Sequence, residues 1–217
     1  MRNKSDTTLV FFGAILLVSS VICLLMSLVG KLEFRRWQAA PLIQEPGDLQ
    51  VVGEGGDAVI VGSLTLDAQA GKEGLALYER WEHEVEYDDG ERKSKWRHNY
   101  DYDHKPTFGL PLGSQRIEVR IAFVIFYNPR EVMLNEDVKL KGFAPDDIIT
   151  VLGSVESSRD PLAVQAKYIC GGGREECMKY LARPSVGYAI GAAIIFLIGG
   201  VLVGFGVKPY LIKFLNK

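Results

Sequence analysis

The chain has 217 residues, and its 25 lysine and arginine residues against 27 aspartate and glutamate residues give a formal net charge of −2 at pH 7. The middle of the chain, residues 31–184, carries 20 basic and 26 acidic residues, a net charge of −6. A negative field of that size opposes binding to a phosphate backbone, so the composition argues against a nucleic-acid partner.

The first element is a long apolar run near the N-terminus. Thr8–Gly30 contains no charged residue, and about 20 apolar residues are enough to cross a bilayer as a helix. The run is longer than the roughly 7–15-residue core of a signal peptide, and no A-x-A cleavage site follows it. We therefore predict a tail over residues 1–7 and a transmembrane helix over residues 8–30, with Cys23 as a packing residue.

Residues 31–184 are predicted to form one extramembrane domain made mostly of β-strands, because apolar and polar residues alternate along several of its segments. In WEHEVEY, which starts at Trp81, the aromatic, histidine and valine side chains share one face and the three glutamates share the other. Many short strands separated by turn residues predict a small barrel or sandwich. The other predicted strands are Asp57–Leu66, Arg116–Phe126, Asp147–Glu156 and Leu162–Ile169.

The order of these motifs resembles a known membrane-associated domain. DAVIVGSLTL, ALYERWEHEVEY, a strand around Trp96, PTFGLPLGSQRIEVR and DDIITVLGSVESSRDPLAVQ follow one another between two apolar spans. This order resembles the GIDE or beside-a-membrane (BAM) domain of mitochondrial and chloroplast RING ubiquitin ligases and their bacterial relatives. The resemblance implies an OB-like β platform on the membrane face opposite the termini. Ligase activity is not implied, because three cysteines cannot supply the eight zinc ligands of a RING module.

The stretch WRHNYDYDH contains two of the three histidines and two aspartates, all of which are residue types that bind metals. In an extended strand, His98 and His104 would lie on an aromatic face and Asp101 and Asp103 on the opposite face, which separates the ligands. His83 could join from the neighbouring strand. Two interpretations stay open: a metal site at these histidines, and an ordinary half-exposed aromatic strand.

Cys170 and Cys177 bracket three glycines that allow a tight chain reversal, because glycine tolerates positive φ. A disulfide needs Cα atoms about 4.4–6.8 Å apart, which such a reversal permits. A metal site would need two further ligands. We predict a disulfide if the domain lies outside the cytoplasm, and the alternative is a pair of buried reduced thiols.

The second apolar span, Ser185–Val207, is also free of charge. A short helix over Arg174–Ala182 is expected to lead into it, with Pro184 at the boundary. Small residues let transmembrane helices approach closely, so the glycines of this span predict helix packing: Gly187, Gly191, Gly199, Gly200 and Gly204. The partner is either another protein or the chain's own first span, which offers Gly13, Ser20 and Ser27.

Charge near the spans bears on their orientation. The tails, residues 1–7 and 208–217, hold five basic residues and one acid. Basic tails stay in the cytoplasm, whereas long domains cross largely regardless of charge. We therefore expect both termini in the cytoplasm and residues 31–184 outside it. The C-terminal tail has an apolar stripe beside lysines and is expected to lie at the lipid interface.

These features predict a non-enzymatic, membrane-anchored scaffold or accessory subunit without a cofactor. Its partners would be the lipid bilayer, other integral membrane proteins in a multi-subunit complex, or further copies of itself. The sequence has no G-x-S-x-G elbow, H-E-x-x-H motif or Walker loop. The alternative is a metal-dependent or catalytic role centred on the segment from His98 to His104. A transport role is disfavoured because neither span carries a charge.

Overall fold

The computed structural model describes residues 4–64, 71–88 and 91–215. The chain divides into a helical unit, drawn from Met1–Arg36 and Leu181–Lys217, and a β unit, Trp37–Tyr180. Parts of three predicted segments lie outside the described residues: the start of the N-terminal tail, the last two residues of the strand over Asp57–Leu66, and the end of the C-terminal tail.

Both predicted spans form helices that are longer than expected. Helix α1 covers Lys4–Ala39 and α3 covers Arg174–Leu215. Within them, Val10–Ala39 and Arg174–Phe205 are long and apolar enough to cross a membrane. A third helix, α2, covers Pro46–Val52.

The expectation of a separate short helix ending before Pro184 is wrong, because α3 continues through this position without a break. Proline removes one backbone donor from a helix. Helix-forming residues before it and an apolar run after it nevertheless continue the helix on both sides. The short helix and the second apolar span are therefore one element.

The helical unit is held together by small residues. A Cβ added to Gly13 of α1 would lie 2.9 Å from the carbonyl oxygen of Gly199 in α3, and one added to Gly199 would lie 3.1 Å from the carbonyl oxygen of Gly13. The two backbones therefore touch at these glycines, as small residues allow. Other small residues at seven-residue spacing from these two glycines are buried: Ser20, Ser27 and Ala192.

The β unit contains two sheets. One has six strands in the order β1-β2-β9-β10-β6-β5, and the other has four in the order β4-β3-β8-β7. The strands are β1 Leu42–Ile43, β2 Asp57–Ser63, β3 Leu77–Asp88, β4 Glu91–His98, β5 Phe108–Leu112, β6 Gln115–Tyr127, β7 Arg130–Asn135, β8 Val138–Phe143, β9 Ile148–Ser157 and β10 Ala163–Gly171. The mostly β composition and the predicted strands are thus confirmed, while the OB-like barrel stays a prediction.

One apolar core contains residues from both sheets. Ile60, Val151 and Val164 contribute from the six-stranded sheet, and Leu77 and Phe143 contribute from the four-stranded sheet. These side chains are fully or almost fully buried. Side chains along a strand point alternately to opposite faces, and Tyr78, next to Leu77 in β3, accordingly belongs to a second, smaller cluster with Leu75 and Leu140.

Candidate functional site: a charged cluster in a cleft of the β unit

The cluster exists because the WRHNYDYDH stretch turns instead of continuing as a strand. Strand β4 ends at His98, and Tyr100–Tyr102 form a short 3-10 turn. The backbone of His104 then pairs with Tyr78 of β3 through two hydrogen bonds of 2.9 Å. The expectation that Asp103 and His98 lie on opposite faces is therefore wrong, since the turn brings them together.

Four ionisable side chains meet next to this turn. Nε2 of His98 lies 2.9 Å and 3.0 Å from the two carboxylate oxygens of Asp103. The ammonium group of Lys105 lies 2.9 Å from Asp103 and 3.0 Å from Glu79. Glu79 is only 9% exposed, and Asp103 also accepts a hydrogen bond from the backbone N–H of Arg80. These contacts compensate the cost of burying the charges.

Aromatic rings hold His98 in place. Its ring is stacked on Trp81, the residue opposite it on β3, with a centroid distance of 5.1 Å and an interplanar angle of 10°. The ring of Tyr100 lies 3.9 Å from it, measured between centroids. The ammonium group of Lys141 lies 5.0 Å from the Trp81 centroid, a favourable cation–π geometry.

Lys141 also forms an ion pair with a carboxylate of the neighbouring strand. Its ammonium group lies 2.6 Å from Glu131 of β7. This hydrogen bond is the largest of the causes that hold the pKa of the Glu131 carboxyl below its usual range. The face of the four-stranded sheet that carries Trp81 therefore combines aromatic rings with cations whose charges are already paired.

The cluster lines a cleft of about 780 Å³, together with Trp81 and Tyr100. Five consecutive residues of β6, 122–126, also line the cleft, as do Lys167 and Tyr168 of β10. The ammonium group of Lys105 lies 5.2 Å from the centroid of the Phe126 ring. The lining of the cleft thus combines charged and apolar residues.

The three histidines do not converge on one site. His104 stacks on Tyr78 with a centroid distance of 5.4 Å. The ring of His83 lies 5.2 Å from that of Trp96, measured between centroids, at an interplanar angle of 43°, and its Nδ1 lies 3.5 Å from Asp137. Only His98 belongs to the cluster, so the structure does not bring together the predicted grouping of His98, His104 and His83.

Two members of the cluster were missed at the level of sequence. Glu79 lies two residues before Trp81, so strand alternation places it on the same face, and this signal was available. Lys105 could be found only from the turn that folds residues 99–104 back onto β3. That turn depends on long-range hydrogen bonds, such as the 2.8 Å bond from the N–H of Asn99 to the carbonyl of Arg80.

The ligand atoms of Glu79, His98 and Asp103 lie within 4.8 Å of one another, so these three residues could hold a metal ion. One imidazole with two carboxylates suits several divalent cations. The ammonium group of Lys105 already bridges the two carboxylates, however, and supplies a positive charge there. A metal ion would have to compete with Lys105 for the same oxygens.

The predicted cysteine pair is close in space. Cys170 lies in β10 and Cys177 lies near the start of α3, with a Cα–Cα distance of 5.4 Å and both side chains buried. The two sulfurs are at bonding distance. The pair therefore meets the geometric requirement for a disulfide.

The glycines of α3 fall into two groups. Gly199 makes the contact with α1, as described above. A Cβ added to any of the other four would meet nothing within 4 Å: Gly187, Gly191, Gly200 and Gly204. Packing against the chain's own first span therefore uses Gly13 and Gly199, and it leaves both G-x-x-x-G pairs uncovered by the described residues.

Comparison with known proteins finds no matching family model, no similar curated protein and no similar solved structure. The resemblance to the GIDE or beside-a-membrane domain therefore remains an expectation based on motif order.

Proposed function

We propose that this protein is a non-enzymatic scaffold or accessory subunit, anchored by α1 and α3 in a membrane, whose OB-like β unit organises other membrane proteins. The observation that carries this proposal is that two glycine pairs of α3 are uncovered. Gly187 with Gly191, and Gly200 with Gly204, form two shallow grooves at four-residue spacing that no described residue fills. In lipid, close backbone approach at such grooves drives helix association.

The division of the glycines supports a partner in addition to the helical pair. If all five glycines packed against α1, all five would lie on the same face of α3. Gly199 is instead in contact with Gly13, while its neighbour Gly200 points to a different side. Successive residues of a helix are about 100° apart, because a turn takes 3.6 residues. The side of α3 that carries Gly199 therefore serves the chain. The pair Gly187 and Gly191 and the pair Gly200 and Gly204 lie on two further sides, roughly 140° apart around the helix axis, so each pair offers its own groove to another helix.

The test compares three leucine or alanine substitutions in full-length protein purified in mild detergent from its own membrane. Gly191→Leu and Gly200→Leu should insert normally, since leucine favours insertion, but should lose co-purifying membrane proteins, as measured by quantitative mass spectrometry. Ile194→Ala, at an exposed position of α3, is the matched control and should retain them. Unchanged partner levels in both glycine variants would refute a partner helix at either glycine pair.

The second candidate is a metal-dependent role, and the specific observation in its favour is the Glu79, His98 and Asp103 group. Elemental analysis of purified protein tests it. Stoichiometric zinc, copper or iron that is lost in His98→Gln and retained in His104→Gln would establish the site, because only His98 belongs to the group.

A further inference from the structure

Strand β6 is paired along only half of one edge. Strand β5 pairs with residues 115–119 and begins at Phe108, opposite Val119. Residues 105–107, before β5, belong to no strand, and His104 pairs with Tyr78 in the other sheet. Beyond Val119, no strand of the described residues lies along this edge of β6, although β10 pairs with its other edge as far as Tyr127.

This open edge differs from the outer strands β1, β5 and β4, and the fourth outer strand, β7, has two charged residues among six. Residues 121–126 read IAFVIF, with no charge and no proline. By contrast, β1 has two residues, β5 contains Pro111, and β4 has five charged residues among eight. Short length, proline and charge are the usual devices that keep an edge from pairing. Apart from a bulge in the strand, the open edge of β6 lacks them.

The bulge turns apolar side chains outward. Ile121 lies opposite Ala166 and Ile125 lies opposite Tyr168, so three residues of β6 stand against the single residue Lys167. As a result, Phe123 is 92% exposed, while Val124 next to it is buried. The five residues 122–126 all line the cleft, together with Lys167 and Tyr168 of β10.

We propose that this cleft binds an extended, uncharged segment of another polypeptide, which adds as a strand to residues 122–126 of β6. Unpaired N–H and C=O groups along the edge supply directional hydrogen bonds for such a strand, as in other cases of strand addition. At about 3.3 Å per residue, the five residues span about 17 Å, which suits a segment of five or six residues. The exposed Phe123 and Ile125 would contact its apolar side chains.

The charges that line the cleft indicate which kind of peptide segment it can bind. The cleft holds two carboxylates, Glu79 and Asp103, and two ammonium groups, Lys105 and Lys167. Lys105 is paired with both carboxylates, and Lys167 lies over the rings of Trp37 and Tyr168. The cleft therefore offers no net charge to attract an acidic or basic peptide, and complementarity favours an uncharged one.

A second copy of the protein is the competing occupant of this edge, and the experiment below distinguishes it from a single extended segment. This inference deepens the proposed scaffold function and rests on it, because it names the site by which the β unit holds a partner.

The probe is an array of acetylated, amidated hexapeptides in which threonine alternates with valine, isoleucine, leucine, phenylalanine or tyrosine. Binding to the full-length protein in detergent is measured by fluorescence anisotropy, with empty micelles as the background. We expect saturable binding of a subset, little changed by salt. Phe123→Asp should weaken it at least about tenfold, since a buried charge replaces an apolar contact. Met133→Asp, at an exposed position of β7, is the matched control and should not.

N-methylation of the peptide backbone distinguishes binding by strand addition from non-specific hydrophobic binding. In a paired strand, alternate N–H groups point toward the partner edge. N-methylation of one alternate set of amides should therefore abolish binding, and methylation of the other set should leave it nearly intact. This readout needs no protein variant.

Three results would overturn the proposal. The first is that no peptide of the array binds, and the second is that both methylated sets bind equally, as expected for a lipid-like apolar site. The third is a dimer that Phe123→Asp dissociates, because a second copy would then occupy the edge. None of these results bears on the open glycine pairs of α3, so the partner-helix test gives a separate answer.

Discussion

At the scale of single residues, Cys170 and Cys177 give a test that depends on the compartment. They are at bonding distance in the structure, and a loop of this size is expected to stabilise the fold by about 2–3 kcal/mol in the loop-closure model. We expect protein from freshly broken cells, alkylated without reductant, to be modified at Cys23 and not at this pair. Intact mass measures the number of alkyl groups. Alkylation of both thiols would show that the pair is reduced in the cell.

His98 is the histidine whose loss should matter most for stability. Its ring contacts Trp81 and Tyr100 and pairs with the half-buried Asp103. Removing one partner of a half-buried polar pair costs about 1–3 kcal/mol, so His98→Gln should lower the thermal unfolding midpoint. Tryptophan fluorescence of the full-length protein in detergent measures it.

His83→Gln is the matched control for this substitution. The ring of His83 also contacts a tryptophan ring, but its carboxylate partner, Asp137, is largely exposed, and exposed ion pairs contribute about 0–1 kcal/mol. A loss of stability as large in His83→Gln as in His98→Gln would mean that the buried pair adds nothing beyond ring stacking.

For the charged cluster, the sequence predicts the positions of some residues and not of others. Alternation in WEHEVEY correctly placed Trp81 and His83 on one face, and their cross-strand partners are His98 and Trp96. The same rule extended past His98 failed, because periodicity says where side chains point only while the strand lasts. Asn99 ends the strand by bonding to Arg80, and that contact is set by the neighbouring strand.

At the scale of elements, Gly142 in β8 is required by the close approach of β3. A Cβ at this position would lie 2.0 Å from the carbonyl oxygen of Leu77, and a backbone atom within a ladder cannot move away easily. Overpacking typically costs about 1–3 kcal/mol and sometimes more, so Gly142→Ala should lower the unfolding midpoint strongly or prevent folding. Thermal unfolding in detergent provides the measurement.

Gly62→Ala serves as the control for that substitution. Its added Cβ would lie 3.5 Å from the nearest atom, a side-chain carbon of Leu110, which is an ordinary van der Waals contact. We expect near-native stability for Gly62→Ala. Equal destabilisation in both variants would show that glycine in these strands matters for a reason other than space.

The two long helices show that composition predicts the existence of a helix better than the residues at which it begins and ends. Two charge-free runs were enough to predict α1 and α3. Their extent was not predictable from apolar length, because polar residues before and after a span can remain helical. The glycines of α3 were equally ambiguous in sequence, since the contact with α1 depends on which one faces Gly13 once the two helices pair.

At the scale of the whole molecule, the side of the membrane on which the β unit lies determines whether its cysteine pair is expected to be oxidised. Placing this unit outside the cytoplasm is a proposal from charge distribution, and it is also the condition under which the cysteine pair is oxidised. An added cysteine on the surface of the β unit tests it directly. Glu54 lies in an exposed turn after α2, so Glu54→Cys in a Cys23→Ser background presents a thiol from the β unit without disturbing the core.

We expect a membrane-impermeant maleimide to label Glu54→Cys in intact cells, and to label a cysteine appended after Lys217 only once the membrane is permeabilised. Two spans place both chain ends on one side, so the two sites must respond oppositely if both helices cross. Labelling of the appended cysteine alone in intact cells would reverse the orientation. The β unit would then face the cytoplasm, where reduced thiols are the rule, and the expected alkylation pattern of Cys170 and Cys177 would reverse with it.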